Sequence, residues 1–245
     1  MTKYHVEMFD PERLSENDID RIQLALVPAG TRVLEIGCAT GYMTDYLRQS
    51  KGCFVAGVEK RQAECLKAEE RCNVLFKGGI DESAIQKEID SFVAATSPFD
   101  VVFMSQVVEH LACPLTVLEK AREWLTDSGI LVVSTVNVAH WKSRLRLLAG
   151  KWEYEEYGLF DSTHLRFFTP HSLREELECA GFVVVDEKYS LDDLTPFPTI
   201  AGINLLTPGN LLRVIPFVGK RLWKWYGTAF KNLVGFQFVY ACIKA

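Results

Sequence analysis

The chain has 245 residues, of which 48% are hydrophobic and 24% are charged, and its formal net charge is −5. This composition is ordinary for a soluble globular protein, and one domain with an insertion is the simplest organisation that it allows. The acidic balance of the main body argues against a nucleic-acid groove, so we expect no nucleic-acid partner.

Cysteine usage and the first residues of the chain bear on its compartment. The seven cysteines include no C-x-x-C pair and their number is odd, which argues against a zinc site and a disulfide framework. Acidic residues occupy the N-terminal region instead of the apolar core of a signal peptide. No apolar run reaches about 18 residues, the length of a membrane span. We therefore expect a cytoplasmic protein with no bound metal.

A strand, a turn with two glycines and a helix come early in the chain. Residues 33–36 predict a buried parallel strand that carries one acid, Glu35, and residues 42–48 predict the following helix. Gly37 and Gly41 therefore lie on a strand-to-helix turn. At such turns the backbone can approach a ligand bound at the carboxyl edge of an open α/β sheet.

The second predicted strand ends in another acid. The apolar run at residues 54–58 is followed by Glu59, which lies 18 residues after Gly41. A carboxylate at this position is suited to a ribose, because it can accept hydrogen bonds from both hydroxyls of the diol. The ligand predicted for this edge of the sheet is therefore a nucleoside.

The spacing of the glycines restricts the kind of nucleoside. A dinucleotide site requires G-x-G-x-x-G, with a pyrophosphate at the helix N-terminus. This chain has G-x-x-x-G, and Glu35 precedes it by two residues. A carboxylate beside the turn would repel a pyrophosphate, but it suits a ligand that carries an ammonium and a sulfonium.

Strand and helix patterns alternate along most of the chain. The further helices are predicted at residues 15–26, 62–71, 82–94, 115–125 and 171–180, and the further strands at 74–76, 99–104, 130–135, 182–185 and 236–243. Residues 78–81 and 128–129 predict turns between them. This alternation is the βαβ pattern of a doubly wound α/β fold with a mostly parallel sheet.

Two segments interrupt the alternation. Residues 137–170 lack a regular pattern and are rich in aromatic and hydrogen-bonding side chains, which predicts a substrate cap over the crevice. Residues 191–235 form an insertion with aromatic residues among cations, and no acid follows Asp193. Its residues 220–226 are typical of a helix at a membrane surface. A peripheral membrane contact through residues 194–235 is one prediction, and a lid or a homodimer surface is the alternative.

Several motifs occur together in the order found in one family. They are Glu35-x-Gly37-Cys38-Ala39-Thr40-Gly41, then Glu59, then Phe99-Asp100-Val101-Val102-Phe103 leading to Val108-Glu109-His110-Leu111. Over residues 20–190 the chain resembles the class I S-adenosylmethionine-dependent methyltransferases, and within them the small-molecule type with E-H-L after the fourth strand. Similar enzymes carry an H-x-R-F-F-T element, which is seen here at residues 164–169. One departure is Ala39, where the family often has glycine.

The resemblance implies a Rossmann-like sheet of seven strands in the order 3-2-1-4-5-7-6, within a single domain at residues 1–245. Residues 15–136 would form the cofactor-binding half, residues 137–170 the cap and residues 191–235 the insertion. The implied cofactor is S-adenosyl-L-methionine, with S-adenosyl-L-homocysteine as the product.

The resemblance also implies which residues bind the cofactor. They are Glu35, Gly37, Cys38, Ala39, Gly41, Tyr42, Glu59, Lys60, Gly79, Ile80, Asp81, Ser105, Gln106 and His110. Within this set Glu35 and the glycines would hold the methionine portion, Glu59 the ribose and Asp81 the adenine amino group. For Asp81 the alternative is that it only caps the helix that follows.

Methyl transfer from a sulfonium is a direct displacement, so the protein must mainly align the reactants, exclude water and accept a proton. Histidines are the candidates for the base. His164 is favoured, because Asp161 lies three residues before it and can orient its ring; His110 and His140 are the other candidates. Each has a structural alternative. His164 would attach the cap to the sheet, His110 would line the adenine pocket or cap the following helix, and His140 would form a hydrogen bond with the cap.

The cap supplies the candidates for binding the methyl acceptor. These are Asn137, Trp141, Arg144, Tyr157 and Arg166. Guanidinium groups match a carboxylate or a phosphate, and aromatic rings stack on a flat or sugar-like molecule. The alternatives are surface ion pairs for the arginines and a small core of the cap for the rings.

The sequence therefore predicts an enzyme that transfers a methyl group from S-adenosylmethionine to a small molecule. Oxygen is the favoured acceptor atom, in a sugar, a quinone-like compound or another metabolite, and nitrogen and carbon remain open. The rival interpretation is a catalytically silent protein that binds the cofactor as a partner or regulatory subunit. A nucleotide-dependent oxidoreductase is disfavoured by the missing G-x-G-x-x-G.

Overall fold

One sheet organises the computed structural model, which describes residues 9–192 and 219–245. Its strands are β1 (Arg32–Ile36), β2 (Phe54–Glu59), β3 (Val74–Lys77), β4 (Phe99–Ser105), β5 (Leu125–Val136), β6 (Phe182–Leu191) and β7 (Gly235–Lys244). The order across the sheet is β3-β2-β1-β4-β5-β7-β6, which confirms the predicted fold class. β1 to β5 pair in parallel, and β7 is antiparallel to β5 and to β6.

Helices cover both faces of this sheet. They are α1 (Ile19–Ala25), α2 (Tyr42–Gln49), α3 (Gln62–Arg71), α4 (Ser83–Ala95), α5 (Pro114–Trp124), α6 (Trp141–Leu148), α7 (Pro170–Cys179), α8 (Gly219–Ala229) and α9 (Lys231–Val234). Successive side chains of a strand point to opposite faces, so Leu34 and Ile36 join the apolar cluster of α4, α5 and α7, whereas Val33 joins that of α1 and α2. Glu35 shares the face of Val33, at the carboxyl end of the central strand.

The carboxyl ends of the parallel strands form one edge of the sheet. Ile36 of β1 lies beside Val58 of β2 and Met104 of β4, and Ser105 of β4 lies beside Ser134 of β5. The segments that follow these strands therefore meet at the same edge. This is where open α/β sheets place their ligands.

The first helix and the fifth strand differ from their predicted bounds. α1 begins at Ile19 because the side chain of Asp18, rather than Ser15, caps it by accepting a hydrogen bond from the N–H of Asp20 at 2.9 Å. β5 begins at Leu125, which pairs with Phe99, and the next pair joins Val101 to Ile130, so β5 has extra residues at 126–129. Residues 128–129, predicted as a turn between elements, therefore lie within the bounds of β5 at this irregularity.

The sixth strand is longer than predicted and the cap is more regular. β6 continues to Leu191 through the charged residues 186–188, which hid it from the apolar pattern. Charged residues suit β6 because it is an edge strand. The sequence predicts an irregular cap, but the cap contains α6. His140 is the N-cap residue of this helix, and its side chain accepts a hydrogen bond from the N–H of Lys142.

The predicted insertion is seen only in part, because residues 193–218 lie outside the described residues. Its end forms α8 and α9, and α8 leaves Trp225 62% exposed. No helix within the described ranges has the length and apolar character needed to cross a membrane. The membrane contact and the homodimer stay predictions, as do the boundaries of the cofactor half, cap and insertion.

Candidate functional site

A cavity of about 480 Å³ lies at the carboxyl edge of the sheet. Segments after β1, β2, β3 and β4 line it, together with residues 156–164 of the cap and the start of β7. This volume is typical of a small-molecule or cofactor site. All the predicted cofactor residues except Gly41 line the cavity: Glu35, Gly37, Cys38, Ala39, Tyr42, Glu59, Lys60, Gly79, Ile80, Asp81, Ser105, Gln106 and His110.

The turn between β1 and α2 adopts a backbone conformation that favours glycine. Gly37 and Gly41 have φ angles of +74° and +73°. A Cβ atom on Gly37 would also lie 2.6 Å from Cγ2 of Val107, so a larger residue does not fit there. Gly41 does not line the cavity but is the N-cap residue of α2. Ala39 has a φ of +50°, so its methyl group is accommodated in a strained conformation.

Two buried carboxyl groups lie beside this turn. Glu35 is 2% exposed and accepts a hydrogen bond from the hydroxyl of Thr44. Burial raises the pKa of Glu35 from its ordinary 4.5 to about 7, a shift that the Thr44 bond opposes and the nearby Asp20 reinforces. Asp20 accepts hydrogen bonds from Nε2 of Gln23 at 3.1 Å and from the hydroxyl of Tyr42 at 3.3 Å. A cation bound here would favour the ionised carboxylate.

Glu59 connects the end of β2 to the glycine turn. Its Oε2 accepts a hydrogen bond from the N–H of Ala39 at 2.8 Å, and its Oε1 accepts one from the N–H of Arg61 at 2.8 Å. Oε1 also accepts a hydrogen bond from Nε of Arg61 at 3.3 Å, and a carboxylate offers about four lone pairs in all. The side chain is 4% exposed and lines the cavity, so it can still accept hydrogen bonds from a diol.

Asp81 lies at another part of the cavity lining, after β3. Its side chain is exposed, and the N-cap position of α4 is occupied by Glu82. Oε1 of Glu82 accepts a hydrogen bond from the N–H of Gly79 at 2.7 Å and so closes the turn. The helix-capping alternative for Asp81 is therefore not what the structure shows.

Amides and hydroxyls from four segments form a connected network at the end of β4. Gln23 donates to Oγ of Ser105 at 2.7 Å and accepts from Oγ of Ser134 at 2.7 Å. Gln106 is hydrogen-bonded to Ser134 at 3.0 Å and to Gln237 of β7 at 3.2 Å. Gln106 has a φ of +54°, a strained conformation for a residue with a side chain, at the entrance to the cap.

The two predicted histidines His110 and His164 come together on the cap side of the cavity. Glu109, which precedes His110 in the chain, lies with them. The ring centroids of the two histidines are 4.8 Å apart, with an interplanar angle of 67°. Burial raises the pKa of Glu109 from 4.5 to about 8. The pKa values of His110 and His164 are lowered from the ordinary 6.5, chiefly because burial disfavours the charged form of each ring.

Asp161 is placed differently from its predicted role as the partner of His164. Its Oδ1 accepts hydrogen bonds from the hydroxyl of Thr163 at 2.6 Å and from the N–H of Thr163 at 2.8 Å. The oxygen of that hydroxyl lies 3.2 Å from Nδ1 of His110. Through Thr163, the carboxylate therefore orients His110.

Among the residues predicted for catalysis or for binding the acceptor, five do not line the cavity: Asn137, His140, Trp141, Arg144 and Arg166. Burial lowers the pKa of His140 to about 4, and its ring caps α6, so it cannot act on a molecule in the cavity. Asn137 donates to the carbonyl of Gly235 at 2.8 Å, and Trp141 to that of Asp192 at 3.3 Å.

The predicted arginines also bind the protein itself. Arg144 donates to the carbonyl of Ala139 at 2.6 Å, and Arg166 to that of Ala112 at 2.5 Å. Both thus fasten the cap rather than face the cavity. Tyr157 is the one predicted acceptor-binding residue that does line it.

Several lining residues escape sequence reasoning. Asp20 belongs to α1, and the sequence pattern of that helix shows only its apolar face. The signal that could have identified Asp20 is an acid on a helix that packs beside Glu35. Phe236 and Gln237 line the cavity because β7 pairs with β5. The two strands are far apart in sequence, so a local pattern does not reveal this position. Glu109 is visible in the E-H-L motif, but nothing in the sequence shows that it is 1% exposed.

Residues 9–187 match the family described as Methyltransferase domain. The chain belongs to that family. The predicted class I methyltransferase is thereby confirmed, and S-adenosylmethionine, as the methyl donor of that class, is supported as its cofactor.

Curated relatives share the family and part of the length. The chain is 32% identical over 161 residues to a ubiquinone biosynthesis O-methyltransferase of Dinoroseobacter shibae, a match that covers 65% of this methyltransferase and 62% of that relative. It is 29% identical over 174 residues to a protein of the same name from Cereibacter sphaeroides, covering 70% and 68%. The first match thus spans less than two thirds of the relative's length.

Solved structures share the fold. A SAM-dependent methyltransferase from Archaeoglobus fulgidus superposes with a TM-score of 0.60, covering 91% of this chain and 90% of that one. The sequence identity is 18%, so this likeness concerns the fold alone. It agrees with the strand order described above.

Replacing Gly37 by alanine should destabilise the protein through backbone strain and a steric clash. Gly52 provides the matched control, because its φ is +64° but a Cβ there meets nothing within 4 Å. We expect Gly52→Ala to cost about 1 kcal/mol from strain alone, and Gly37→Ala at least about 2 kcal/mol, measured by urea denaturation.

The double variant separates the two contributions. Removing methyl groups of Val107 relieves the clash, so Gly37→Ala with Val107→Ala should show a favourable coupling of about 1 kcal/mol in a double-mutant cycle. Equal costs for the two glycine variants, or no coupling to Val107, would contradict the proposed close contact.

Proposed function

We propose that this methyltransferase binds S-adenosylmethionine and transfers its methyl group to a hydroxyl group of an uncharged small molecule. The observation that carries the proposal is the pair of buried carboxyl groups, Glu35 and Asp20, beside a turn whose glycines allow close approach. Burying two acids together is unfavourable unless a cation joins them. The ammonium of the cofactor's methionine portion, together with its sulfonium, supplies that positive charge.

The rest of the cofactor follows the lining of the cavity. Glu59 would accept hydrogen bonds from the ribose diol, and Asp81 from the adenine amino group. The buried side chain of Ile80 precedes Asp81 and offers an apolar surface to a flat base. The cofactor so placed would point its methyl group towards the cap, where the acceptor enters.

The acceptor side of the cavity favours an uncharged molecule. Among the described lining residues, the basic side chains are Lys60 and Arg61, both on the segment after Glu59 and therefore on the ribose side. The cap contributes Glu156, Tyr157, Asp161, Thr163 and His164 instead. Carboxylate or phosphate acceptors would meet acidic groups there, whereas a hydroxylated ring or sugar finds hydrogen-bond partners and the ring of Tyr157.

The relatives suggest one such acceptor class. Both are named ubiquinone biosynthesis O-methyltransferases, so we propose a phenol-type hydroxyl of a quinone-like compound as the first acceptor to test. Oxygen must lose a proton when it is methylated, and the cluster of Glu109, His110 and His164 is the group at the cap side where this proton can be removed. The C–S bond breaks as the O–C bond forms, and S-adenosylhomocysteine leaves.

Binding of S-adenosylhomocysteine should depend on the proton of Glu35. With its pKa near 7 in the free protein, this carboxyl is largely ionised above pH 7, where affinity should be full. Below pH 7 it is protonated and binding of the ammonium must expel that proton, so affinity should fall about tenfold per pH unit. Isothermal titration calorimetry between pH 8 and pH 5.5 measures this slope.

The matched variants are Glu35→Gln and Glu156→Gln. Glu156 is an exposed acid that lines the same cavity, so its replacement should keep the slope, whereas Glu35→Gln should bind weakly at pH 8 and lose the slope. NAD should not bind to the wild type. A wild type that binds NAD, or that ignores S-adenosylhomocysteine, would remove the cofactor assignment.

Turnover should depend on the histidine of the cap. A screen of metabolite extracts with methyl-labelled cofactor, read by product mass, identifies an acceptor, and initial rates then follow. We expect His164→Asn to lower the rate by about 10² to 10⁴, as for loss of a group that assists proton transfer, with affinity for S-adenosylhomocysteine changed only a few-fold.

The exposed His171, at the start of α7, is the control, and His171→Asn should retain the wild-type rate. Full activity of His164→Asn would exclude the cluster from the reaction. Binding of S-adenosylhomocysteine without any labelled product would instead support the silent cofactor-binding protein.

A further inference from the structure

The cluster of Glu109, His110 and His164 has the composition and spacing of a metal site. One potential ligand atom from each of the three residues lies within 4.8 Å of the others. Glu109 and His110 belong to the short helix Val108–His110 that follows β4, and His164 belongs to the cap. Ligands about 2.1 Å from one ion lie roughly 3 to 4 Å apart. Only a small closure of the three atoms is therefore needed for them to surround one ion.

Two of these atoms are buried without a hydrogen-bond partner in the described part of the chain. They are Oε2 of Glu109 and Nδ1 of His164. Glu109 is 1% exposed and His164 is 8% exposed, so water does not compensate freely for either atom. Buried polar atoms are almost always paired in native proteins. An unpaired carboxylate oxygen and an unpaired imidazole nitrogen at the same side of a cavity thus indicate a missing common partner.

The third residue is oriented as a metal ligand usually is. Nδ1 of His110 lies 3.2 Å from the carbonyl oxygen of Thr163 and 3.2 Å from its hydroxyl, which itself donates to Asp161. An N–H at Nδ1 that donates to Thr163 leaves the lone pair on Nε2. Metal-binding histidines typically donate their second ring nitrogen to a carbonyl or a carboxylate in this way.

We propose that Glu109, His110 and His164 bind one divalent transition-metal ion, such as zinc or cobalt. Two imidazoles with one carboxylate suit such ions better than they suit magnesium or calcium, which prefer oxygen ligands alone.

This assignment replaces the sequence-based expectation that no metal is bound. That expectation rested on cysteine spacing, and the present ligands share no such spacing. The E-H pair is adjacent in sequence, and the third ligand comes from the cap more than fifty residues later. Only the attachment of the cap to the segment after β4 brings them together.

A role for the ion in catalysis rests on the proposed function. Three protein ligands leave open positions, as in catalytic zinc sites, and a hydroxyl oxygen of the acceptor would occupy one of them. With their lone pairs on the ion, the three side chains would promote loss of the proton through the metal and not as bases: the O–H bond would ionise more readily and release its proton to solvent water. The resulting oxygen anion would attack the methyl group, and the electron pair of the broken C–S bond would remain on sulfur.

The test is calorimetric titration of the full chain with Zn²⁺, and separately with Mg²⁺, after removal of metals with EDTA. We expect one Zn²⁺ per chain at micromolar or tighter affinity, and no comparable binding of Mg²⁺. Glu109→Gln and His110→Asn should each weaken Zn²⁺ binding by at least about tenfold. His110 is only half-buried, so its variant remains informative if the buried Glu109 does not tolerate replacement.

The controls address adventitious binding and folding. His171 and Glu175 form an exposed pair on α7 at 3.5 Å, and His171→Asn should leave Zn²⁺ affinity unchanged. The thermal unfolding midpoint should be retained in His110→Asn. A wild type that binds no Zn²⁺, or a His110→Asn variant that binds it like the wild type, would overturn the proposal.

The same samples distinguish the two proposals. If S-adenosylhomocysteine binds and Zn²⁺ does not, the metal site fails while the cofactor assignment stands. If Zn²⁺ binds in a manner that depends on His110 and S-adenosylhomocysteine does not, the proposed function fails while the metal site stands. Methyl transfer that EDTA abolishes and Zn²⁺ or Co²⁺ restores would support the catalytic role, and transfer indifferent to EDTA would exclude it.

Discussion

The structure depends on an acid buried at the carboxyl end of the central strand. Glu35 lies between two neighbouring strands, with the hydroxyl of Thr44 as its hydrogen-bond donor, and burial raises its pKa to about 7. A hydrophobic residue here would stabilise the sheet more simply. The surrounding groups preserve the acid: Asp20 adds negative charge, and Glu59 fixes the turn in front of it. This arrangement is the basis of the proposal that a cation binds here.

The cap is attached to the rest of the cavity through the backbone of Glu109. The carbonyl of Glu109 accepts hydrogen bonds from the N–H groups of Leu165 at 2.9 Å and Arg166 at 3.0 Å. His164 precedes these two residues, so the same hydrogen bonds set its distance from Glu109 and His110. The guanidinium of Arg166 reinforces this attachment at Ala112. The cap side of the cavity therefore has a defined geometry, although it is built from a long connection between strands.

The cofactor half was predictable because its requirements are local. A strand, a glycine turn and a helix follow one another directly in the chain. The relative positions of Glu35, Gly37 and Gly41 can therefore be predicted from nine residues of sequence. Glu59 and Asp81 follow from strand order, which parallel α/β folds restrict strongly. The sequence did not reveal Asp20, because helical periodicity reports the apolar face and not an acid at its border. It also did not reveal how far β6 extends, because charges are tolerated on an edge strand.

The cap side of the cavity was less predictable. A polar or aromatic residue of the cap has the same sequence pattern whether it faces the cavity or binds the protein itself. Arg144 and Arg166 have the chemistry to bind an anion, but both donate to backbone carbonyls of the cap and its base. His140 and His164 both stand near polar neighbours in sequence, yet one caps α6 and the other lines the cavity. Composition gives the density of functional groups in such a segment. Tertiary contacts decide which of them face the ligand.

The two ends of the cavity share one electrostatic logic. Glu35 and Glu109 are both almost fully buried, and burial raises the pKa of each by several units, to about 7 and about 8. Each therefore holds a proton near neutrality and releases it when a cation arrives. At the first end we propose the ammonium of the cofactor as this cation, and at the second a metal ion. A neutral hydroxyl acceptor bound between them would place its developing negative charge against the sulfonium methyl group and a second positive centre.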